Sequence, residues 1–141
     1  MAERPPTVFR PNEKGLRKVF GELEAEIMEA IWRRGRVTVQ DVWVEVRKDR
    51  GLAYATVKTV MNRLADKGYL KRQVKERAHS FEPVMGREEF LRRVSDEVLE
   101  GLFVDFGEPI HAHLVQALKA RDVPGLDRLE ALIRREKQRR V

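Results

Sequence analysis

A chain of 141 residues, 42% hydrophobic and 37% charged, is long enough for one ordinary domain or for a small domain with a helical appendage. It contains no cysteine, which excludes disulfides and thiolate chemistry, and no apolar run of about 18 residues that would predict a membrane span. The net charge of +6 is uneven, because residues 1–86 hold 18 Lys and Arg against 12 Asp and Glu, whereas residues 87–141 hold 11 of each.

The N-terminal part predicts a basic arm followed by two helices. Residues 1–19 are expected to be a flexible arm without a signal peptide, because three of the six prolines lie in residues 1–15 and little periodicity is present. Residues 21–34 predict a first helix, with acidic residues early and arginines late, as its dipole favours. After a short extended piece, Thr38 offers an N-cap hydroxyl to a second helix over residues 39–48, with Asp41 completing a capping box.

Residues 52–68 predict a third helix with two contrasting faces. The apolar positions recur at i, i+3, i+4 and i+7, which indicates a buried stripe formed by Val57, Val60, Met61 and Leu64. The opposite face is small and polar, with Ala55, Thr59, Asn62 and Asp66 flanked by Thr56, Lys58 and Arg63. Thr, Asn and Arg can donate to DNA base edges and phosphates while letting a helix approach closely. The pattern therefore predicts that helix 53–67 lies in a DNA groove.

Residues 69–83 predict a basic β-hairpin directly after this helix. Two short runs flank the charged tip Lys75-Glu76-Arg77, whose turn type stays open because it lacks Asn-Gly. Residues 58–77 are strongly basic, whereas residues 23–29 are acidic, so the positive field is concentrated on the third helix and the hairpin. A helix followed by a basic hairpin indicates a winged helix-turn-helix. The expected fold is mainly α with a small β-wing, and the expected DNA-binding domain covers residues 20–85.

Residues 86–141 predict a helical dimerisation domain. A fourth helix begins near residue 86, a break at residues 107–109 precedes a fifth helix, and a turn at residues 123–125 precedes a sixth. Their apolar stripes are narrow and their charge is balanced, so these helices are expected to pack against a second copy of the chain. The residues predicted to form the homodimer interface are Leu91, Val94, Val98, Leu102, Leu114, Leu118, Leu129 and Ile133.

The sequence lacks the usual signatures of catalysis and of metal binding. There is no Gly-rich phosphate loop, no Gly-x-Ser-x-Gly and no His-Glu-x-x-His. His111 and His113 are two residues apart on a predicted helix, where side chains point about 200° away from each other, so they are poorly placed to share one ion. We therefore expect a cytoplasmic protein that is not an enzyme and that has no cofactor.

Four motifs resemble the BlaI/MecI/CopY family of winged-helix repressors, which includes the penicillinase repressors. GELEAEIMEAIW at residues 21–32 resembles their opening helix, and LAYATVKTVMNRL at residues 52–64 resembles their recognition helix. RAHSFEP at residues 77–83 is similar to their wing, and GREEFL at residues 86–91 is similar to the start of their dimerisation helices. The resemblance covers about residues 20–105 and is loose beyond residue 107.

The resemblance implies a homodimeric repressor that binds a palindromic operator. By position it implies that Ala55, Thr56, Thr59, Asn62 and Arg63 face the major groove, that Tyr54 lies near a phosphate, and that Arg77 contacts the backbone beside the wing. We expect Thr56, Thr59 and Asn62 to discriminate between bases and a basic set to contact phosphates. The predicted phosphate contacts are Arg63, Lys71, Arg72, Lys75 and Arg77, and Lys58 is a further predicted DNA-binding residue.

The mode of induction and two other functions stay open. In the branch induced by β-lactams, a membrane sensor protease leads to cleavage in the C-terminal domain, which makes a regulatory protease a candidate partner. The cleaved Asn-Phe bond of that branch has no clear counterpart, the loosely corresponding positions being Gln116 and Ala117. The copper-responsive branch uses a C-terminal cysteine cluster, which this chain lacks. The alternatives are a ligand-sensing winged-helix regulator and a non-sequence-specific, chromosome-organising DNA-binding protein.

Overall fold

The computed structural model describes residues 8–121 and 123–140, which form two compact units. The first, here called the winged-helix unit, ends at Val94, and the second, the C-terminal unit, begins at Ser95. The helices are α1 (Glu22–Arg34), α2 (Val39–Val46), α3 (Tyr54–Asp66), α4 (Arg87–Arg121) and α5 (Val123–Arg139), and the strands are β1 (Leu70–Lys75) and β2 (Ala78–Pro83). The predicted fold class, mainly α with a β-wing, is confirmed.

Helices α1, α2 and α3 enclose the core of the winged-helix unit. Their fully buried side chains include Ile27 and Ile31 of α1, Val42 of α2 and Met61 of α3. The short extended piece between α1 and α2 attaches the wing to this core, because Val37 and Phe81 exchange backbone N–H···O bonds of 2.9 and 2.7 Å. The three predicted helices therefore pack into one cluster, with the hairpin fixed against it.

The first turn of α2 is held by the predicted capping box. The Asp41 N–H donates to Thr38 Oγ1 at 3.1 Å, and the Thr38 N–H donates to Asp41 Oδ2 at 2.9 Å. The bond from the Thr38 backbone is the main cause that lowers the pKa of the Asp41 carboxyl below its ordinary value, because it favours the charged form. The α2 sequence contains four valines, which are weak helix formers, so this cap contributes to a helix that packing must otherwise hold.

We expect Asp41→Ala to lower the free energy of unfolding by about 0.5–1 kcal/mol at pH 7, because the Thr38 N–H loses its acceptor. The pKa of this carboxyl is lower in the folded state than in the unfolded state, where it is about 3.9. The charged carboxylate therefore stabilises the protein at pH values above about 3.9, and this stabilisation is lost as the pH falls through the pKa of the folded state. Urea unfolding at pH 7 and pH 3 should therefore show a smaller difference between wild type and variant at pH 3 than at pH 7. Gln40→Ala, an exposed change in the same turn, is the control, and a deficit of the same size at both pH values would refute the role of the carboxylate.

The wing is a regular antiparallel hairpin closed by a two-residue turn. Lys75 pairs with Ala78, so Glu76 and Arg77 alone connect the strands. Both have positive φ, 51° and 72°, which identifies a type I′ turn. Such turns favour Asn-Gly, and the absence of that signal is why the sequence left the turn type open.

Part of the predicted flexible arm is folded, and residues 1–7 lie outside the described residues. The structure differs from the prediction over residues 8–19, where Gly15–Lys18 forms a turn of 3₁₀-helix and Leu16 is buried. Phe20 is only 2% exposed and packs its ring against Tyr69 and Phe90, at centroid distances of 4.9 and 5.3 Å. Leu16 and Phe20 are isolated apolar residues without periodicity. Their burial in the core depends on residues far away in the sequence, so a local pattern could not predict it.

The first turns of α4 belong to the winged-helix unit, beyond the predicted boundary at residue 85. Phe90 and Val94 are both buried there, although the sequence assigned Val94 to a dimer interface. Farther along α4, the predicted break is a kink, because Phe106 has non-helical backbone angles (φ −129°, ψ 29°) just before Pro109. Instead of forming a separate turn, residues 123–125 begin α5. Within the described residues, no helix is both long enough and apolar enough to cross a membrane.

Candidate nucleic-acid interface

The outer face of α3 is exposed and carries short polar side chains. The predicted stripe of Val57, Val60, Met61 and Leu64 is buried, which turns the other face outward. The residues of this helix that are predicted to contact DNA are exposed, with Asn62 half-buried. These residues are Tyr54, Ala55, Thr56, Lys58, Thr59, Asn62 and Arg63.

Two of these side chains are oriented by bonds to their own helix. The Thr59 hydroxyl donates to the Ala55 carbonyl at 2.9 Å, and the Asn62 amide donates to the Lys58 carbonyl at 3.0 Å. Such bonds to the residue four positions earlier are common for short polar side chains in helices. They leave the Thr59 oxygen with acceptor capacity, so that it can accept a hydrogen bond from an amino group on a base edge.

An aromatic pair fixes the start of α3. The Trp43 indole N–H donates to the Leu52 carbonyl at 2.8 Å, and its ring meets Tyr54 edge-on at 5.9 Å. The Arg47 guanidinium lies 4.2 Å from the centroid of the Trp43 ring. Trp43 is half-buried rather than fully buried, and it positions the turn that leads into the candidate recognition helix.

The two sides of β1 place its basic residues in different surroundings. Lys71 and Lys75 lie on one side, and both are exposed. Arg72 lies on the other side, where it pairs in register with the buried Phe81. Its guanidinium donates to Asn62 Oδ1 at 2.7 Å and to Asp66 Oδ1 at 2.6 Å, both on α3. Of the predicted phosphate contacts, Arg72 alone among the described residues is bound to acceptors of the protein itself.

The remaining cations of α3 and the wing have no carboxylate partner within residues 8–121 and 123–140. They are Lys58, Arg63, Lys71, Lys75 and Arg77. Elsewhere in the winged-helix unit most basic groups are ion-paired: Arg33 and Arg34 with Glu45, Arg36 with Glu82, Arg50 with Glu22 and Glu26, Lys67 with Glu24, and Arg87 with Glu29. The acidic residues of α1 are thus matched locally. Six other cations of the unit also have no carboxylate partner in the described part of the chain, but they lie on other segments, whereas five are grouped on one helix and one hairpin. The six are Arg10, Lys14, Lys18, Arg47, Lys48 and Arg92.

A cleft of about 420 Å³ lies among α2, α3 and the wing. Its described lining contains no carboxylate, and it brings Thr38 and Gln40 of α2 to the same place as Lys58 and Arg77. Sequence reasoning placed neither α2 residue at the interface. The only signal for Thr38 was its N-cap role, which places the positive end of the α2 dipole beside the cleft. His79 also lines it.

Comparisons with known proteins identify the group to which the chain is similar. A family model described as penicillinase repressor matches residues 20–135. Transcriptional regulator BlaI from two strains of Mycobacterium tuberculosis is 40% identical over 87 residues, which are 61% of this chain and 57% of each relative. The match therefore spans little more than half the length of these curated relatives.

Solved structures of similar proteins were found at lower identity. A solution structure of the DNA-binding domain of the repressor BlaI has a TM-score of 0.45 and 23% identity, and it covers 55% of this chain and 93% of that chain. The solution structure of monomeric Bacillus licheniformis BlaI in complex with the blaP half-operator has a TM-score of 0.43 and 24% identity, and the match covers 50% of this chain and 85% of that chain. Because the family model spans residues 20–135, well over half of the sequence, the chain belongs to the penicillinase repressor family, as its sequence motifs predicted.

Proposed function

We propose that this protein is a DNA-binding transcriptional repressor that places α3 in the major groove and the wing on the phosphate backbone. The observation that carries the proposal is the sorting of charge described above. Several basic groups outside α3 and the wing are ion-paired, whereas the five cations Lys58, Arg63, Lys71, Lys75 and Arg77 are grouped on these two elements and have no carboxylate partner in the described part of the chain. Such a surface fits DNA, because unpaired cations can contact its phosphates while small polar side chains contact its base edges.

The two kinds of side chain have different roles in this proposal. Thr56, Thr59 and Asn62 reach base edges, because their neighbour Ala55 is small and the major groove, about 12 Å wide, admits a helix. Arg63 and the cations of the wing contact phosphates and supply affinity without sequence preference. The matching family is described as penicillinase repressor, and the 40% identical relatives are named transcriptional regulator BlaI. Both names support a role in transcription.

Dimerisation through the C-terminal unit is part of the proposal. Among the described side chains from residue 95 onward no apolar one is buried, so the helices of this unit lack a core of their own. Phe103 and Ile133 are 42% and 47% exposed, and a cleft of about 310 Å³ is lined by Val115, Leu126, Leu129 and Ile133. A second copy would cover these side chains. The interface we propose comprises Leu91, Val98, Leu102, Leu114, Leu118, Leu129 and Ile133, without Val94.

A two-fold dimer predicts the form of the operator. Its two α3 helices would enter successive major grooves about 34 Å apart, so the operator should be an inverted repeat. Relief of repression by proteolysis is a further proposal that rests on the resemblance alone, and the loosely corresponding residues Gln116 and Ala117 lie within α4.

Selection from a random pool of duplexes, followed by footprinting, tests this function. The expected result is an inverted repeat whose half-sites are one helical turn apart, protected on one face of the duplex. Enrichment of a single half-site would contradict the dimer and leave base-specific binding intact. A preference of no more than about tenfold among duplexes at physiological salt would instead identify a non-specific DNA-binding protein.

The turn of the wing offers a variant in which stability and binding should change in opposite directions. Arg77→Gly removes a cation but relieves a positive φ of 72°, so the free energy of unfolding should rise by up to about 1 kcal/mol. Affinity for every duplex should nevertheless fall, and the slope of log K against log salt should flatten by about one unit per protomer. Titrations at several salt concentrations and thermal unfolding measure both effects.

Glu76→Gly is the matched control, because it relieves the adjacent positive φ of 51° while removing an acidic group. This variant should be stabilised to a similar extent and should bind DNA at least as tightly as the wild type. Equal affinity for Arg77→Gly and wild type at all salt concentrations would show that Arg77 makes no phosphate contact.

A further inference from the structure

Arg72 links the wing to the outer face of α3. One nitrogen of its guanidinium donates to Asn62 Oδ1 at 2.7 Å, and the other donates to Asp66 Oδ1 at 2.6 Å. Asn62 and Asp66 are four residues apart, so they are neighbours on the same side of the helix. A planar guanidinium with donors in a fixed fork can bind both at once, which the single ammonium of a lysine does less well.

This contact determines which way the Asn62 amide is turned. A guanidinium only donates, so the group facing Arg72 must be the amide oxygen, and the NH₂ group faces the Lys58 carbonyl at 3.0 Å. One N–H and one oxygen lone pair of the amide then remain unused. An N–H beside an acceptor is the pair that asparagine uses to bind N7 and the N6 amino group of adenine.

The ion pair with Asp66 should keep the Arg72 side chain on α3 when DNA is bound. It is the only acidic residue of α3, and its side chain is 67% exposed. If Arg72 left it for a phosphate, an uncompensated carboxylate would remain beside a polyanion, which costs affinity. Lys71 and Lys75, on the other side of β1, have no such partner within the described chain and are free to contact phosphates.

We propose that Arg72 is a positioning residue for base recognition, which orients the Asn62 amide from the wing and so sets a preference for adenine at the base pair that Asn62 contacts. Asp66 holds Arg72 in place. The inference rests on the proposed function, and it changes the role that the sequence predicted for Arg72, which was a phosphate contact.

The test uses the duplex that the full-length wild type selects from a random pool. Asn62→Ala first identifies the base pair at which discrimination is lost. At that pair, Arg72→Ala should lose the same discrimination, by about five- to a hundredfold, the range for a bidentate contact to a base. The double variant should lose no more discrimination than either single variant, because the two residues act through one contact.

Charge-matched variants separate positioning from a phosphate contact. Arg72→Lys keeps the charge, so the salt slope should stay at the wild-type value while discrimination falls. Lys71→Ala should do the reverse, weakening all duplexes equally and flattening the slope by about one unit per protomer. Thermal unfolding of each variant shows whether the fold is intact, and Arg72→Lys remains informative if Arg72→Ala unfolds.

Three results would overturn the inference in different ways. If the wild type selects a sequence but Arg72→Ala and Arg72→Lys retain full discrimination at the Asn62 base pair, Arg72 does not position the amide. If Arg72→Ala instead behaves as Lys71→Ala does, Arg72 is a phosphate contact, as the sequence predicted. If the wild type selects no sequence at all, the proposed function itself fails, and this inference fails with it.

Discussion

The triple variant Arg63→Ala, Lys71→Ala, Arg77→Ala should bind its selected duplex on the order of 10²- to 10³-fold more weakly per protomer at 0.1 M salt. The three cations are exposed and lack carboxylate partners among the described residues, so their substitution removes no ion pair of the folded chain. Each phosphate contact releases condensed counterions, which is worth roughly a factor of ten at this salt concentration. The salt slope should flatten by about three units per protomer, and fluorescence anisotropy at 50–300 mM salt would measure both quantities.

A matched variant tests whether position or net charge is responsible. Arg33→Ala, Arg34→Ala, Arg36→Ala also removes three positive charges from exposed side chains, but these are paired with Glu45 and Glu82. Its affinity should fall by no more than a few-fold, through the weaker long-range field alone. If both variants lose affinity to the same extent, attraction by net charge explains binding and the specific interface is wrong.

Phe90→Ala should destabilise the winged-helix unit by about 3–5 kcal/mol, the range for deleting a buried phenyl ring. The Phe90 ring is 4% exposed, stacks on Phe20 at 5.3 Å and 15°, and contacts the rings of Trp32 at 5.3 Å and Tyr69 at 5.9 Å. Aromatic pairs stabilise a protein by more than their buried area alone accounts for. Removal of the Phe90 ring would leave a cavity and would abolish three such pairs at once. Since domains of this size are stable by only about 5–15 kcal/mol, the variant should be partly unfolded at 37 °C.

Denaturant unfolding followed by tryptophan fluorescence measures this loss, because Trp32 adjoins the cavity. Val84→Ala, a truncation at a side chain that is 45% exposed, is the control and should change stability by no more than about 0.5 kcal/mol. A Phe90→Ala variant as stable as Val84→Ala would mean that the start of α4 is not part of this core. The predicted boundary at residue 85 would then be preferable to the one found after Val94.

Local patterns predicted most of the winged-helix unit. The helical stripe from Val57 to Leu64 repeats within two turns, and a capping box spans only four residues, so both are visible in a short window of sequence. The same patterns placed Thr59, Asn62 and Arg63 on the outer face of α3, where they are found. The four motifs that resemble the repressor family are also short and continuous, and the family assignment is confirmed.

Features that depend on distant residues escaped these patterns. The sequence could not predict that Phe20, Tyr69 and Phe90 form one cluster, because about 70 positions separate the first from the last and each is isolated in its own segment. The folded part of the N-terminal arm and the extension of the winged-helix unit to Val94 follow from that cluster. The kink at Phe106, by contrast, was signalled by Pro109, although as a break rather than a bend.

Sequence alone therefore determined the three helices, the wing, the exposed polar face and the family, because each depends on the order of side chains along a few turns of chain. It treated Lys71 and Arg72 alike, as two basic residues of one strand. Only the tertiary structure separated them: β1 packs one side toward α3, and there Arg72 meets Asn62 and Asp66. The different roles that we propose for these two residues depend on this packing, because a side-chain pair ten residues apart is set by how the hairpin meets the helix.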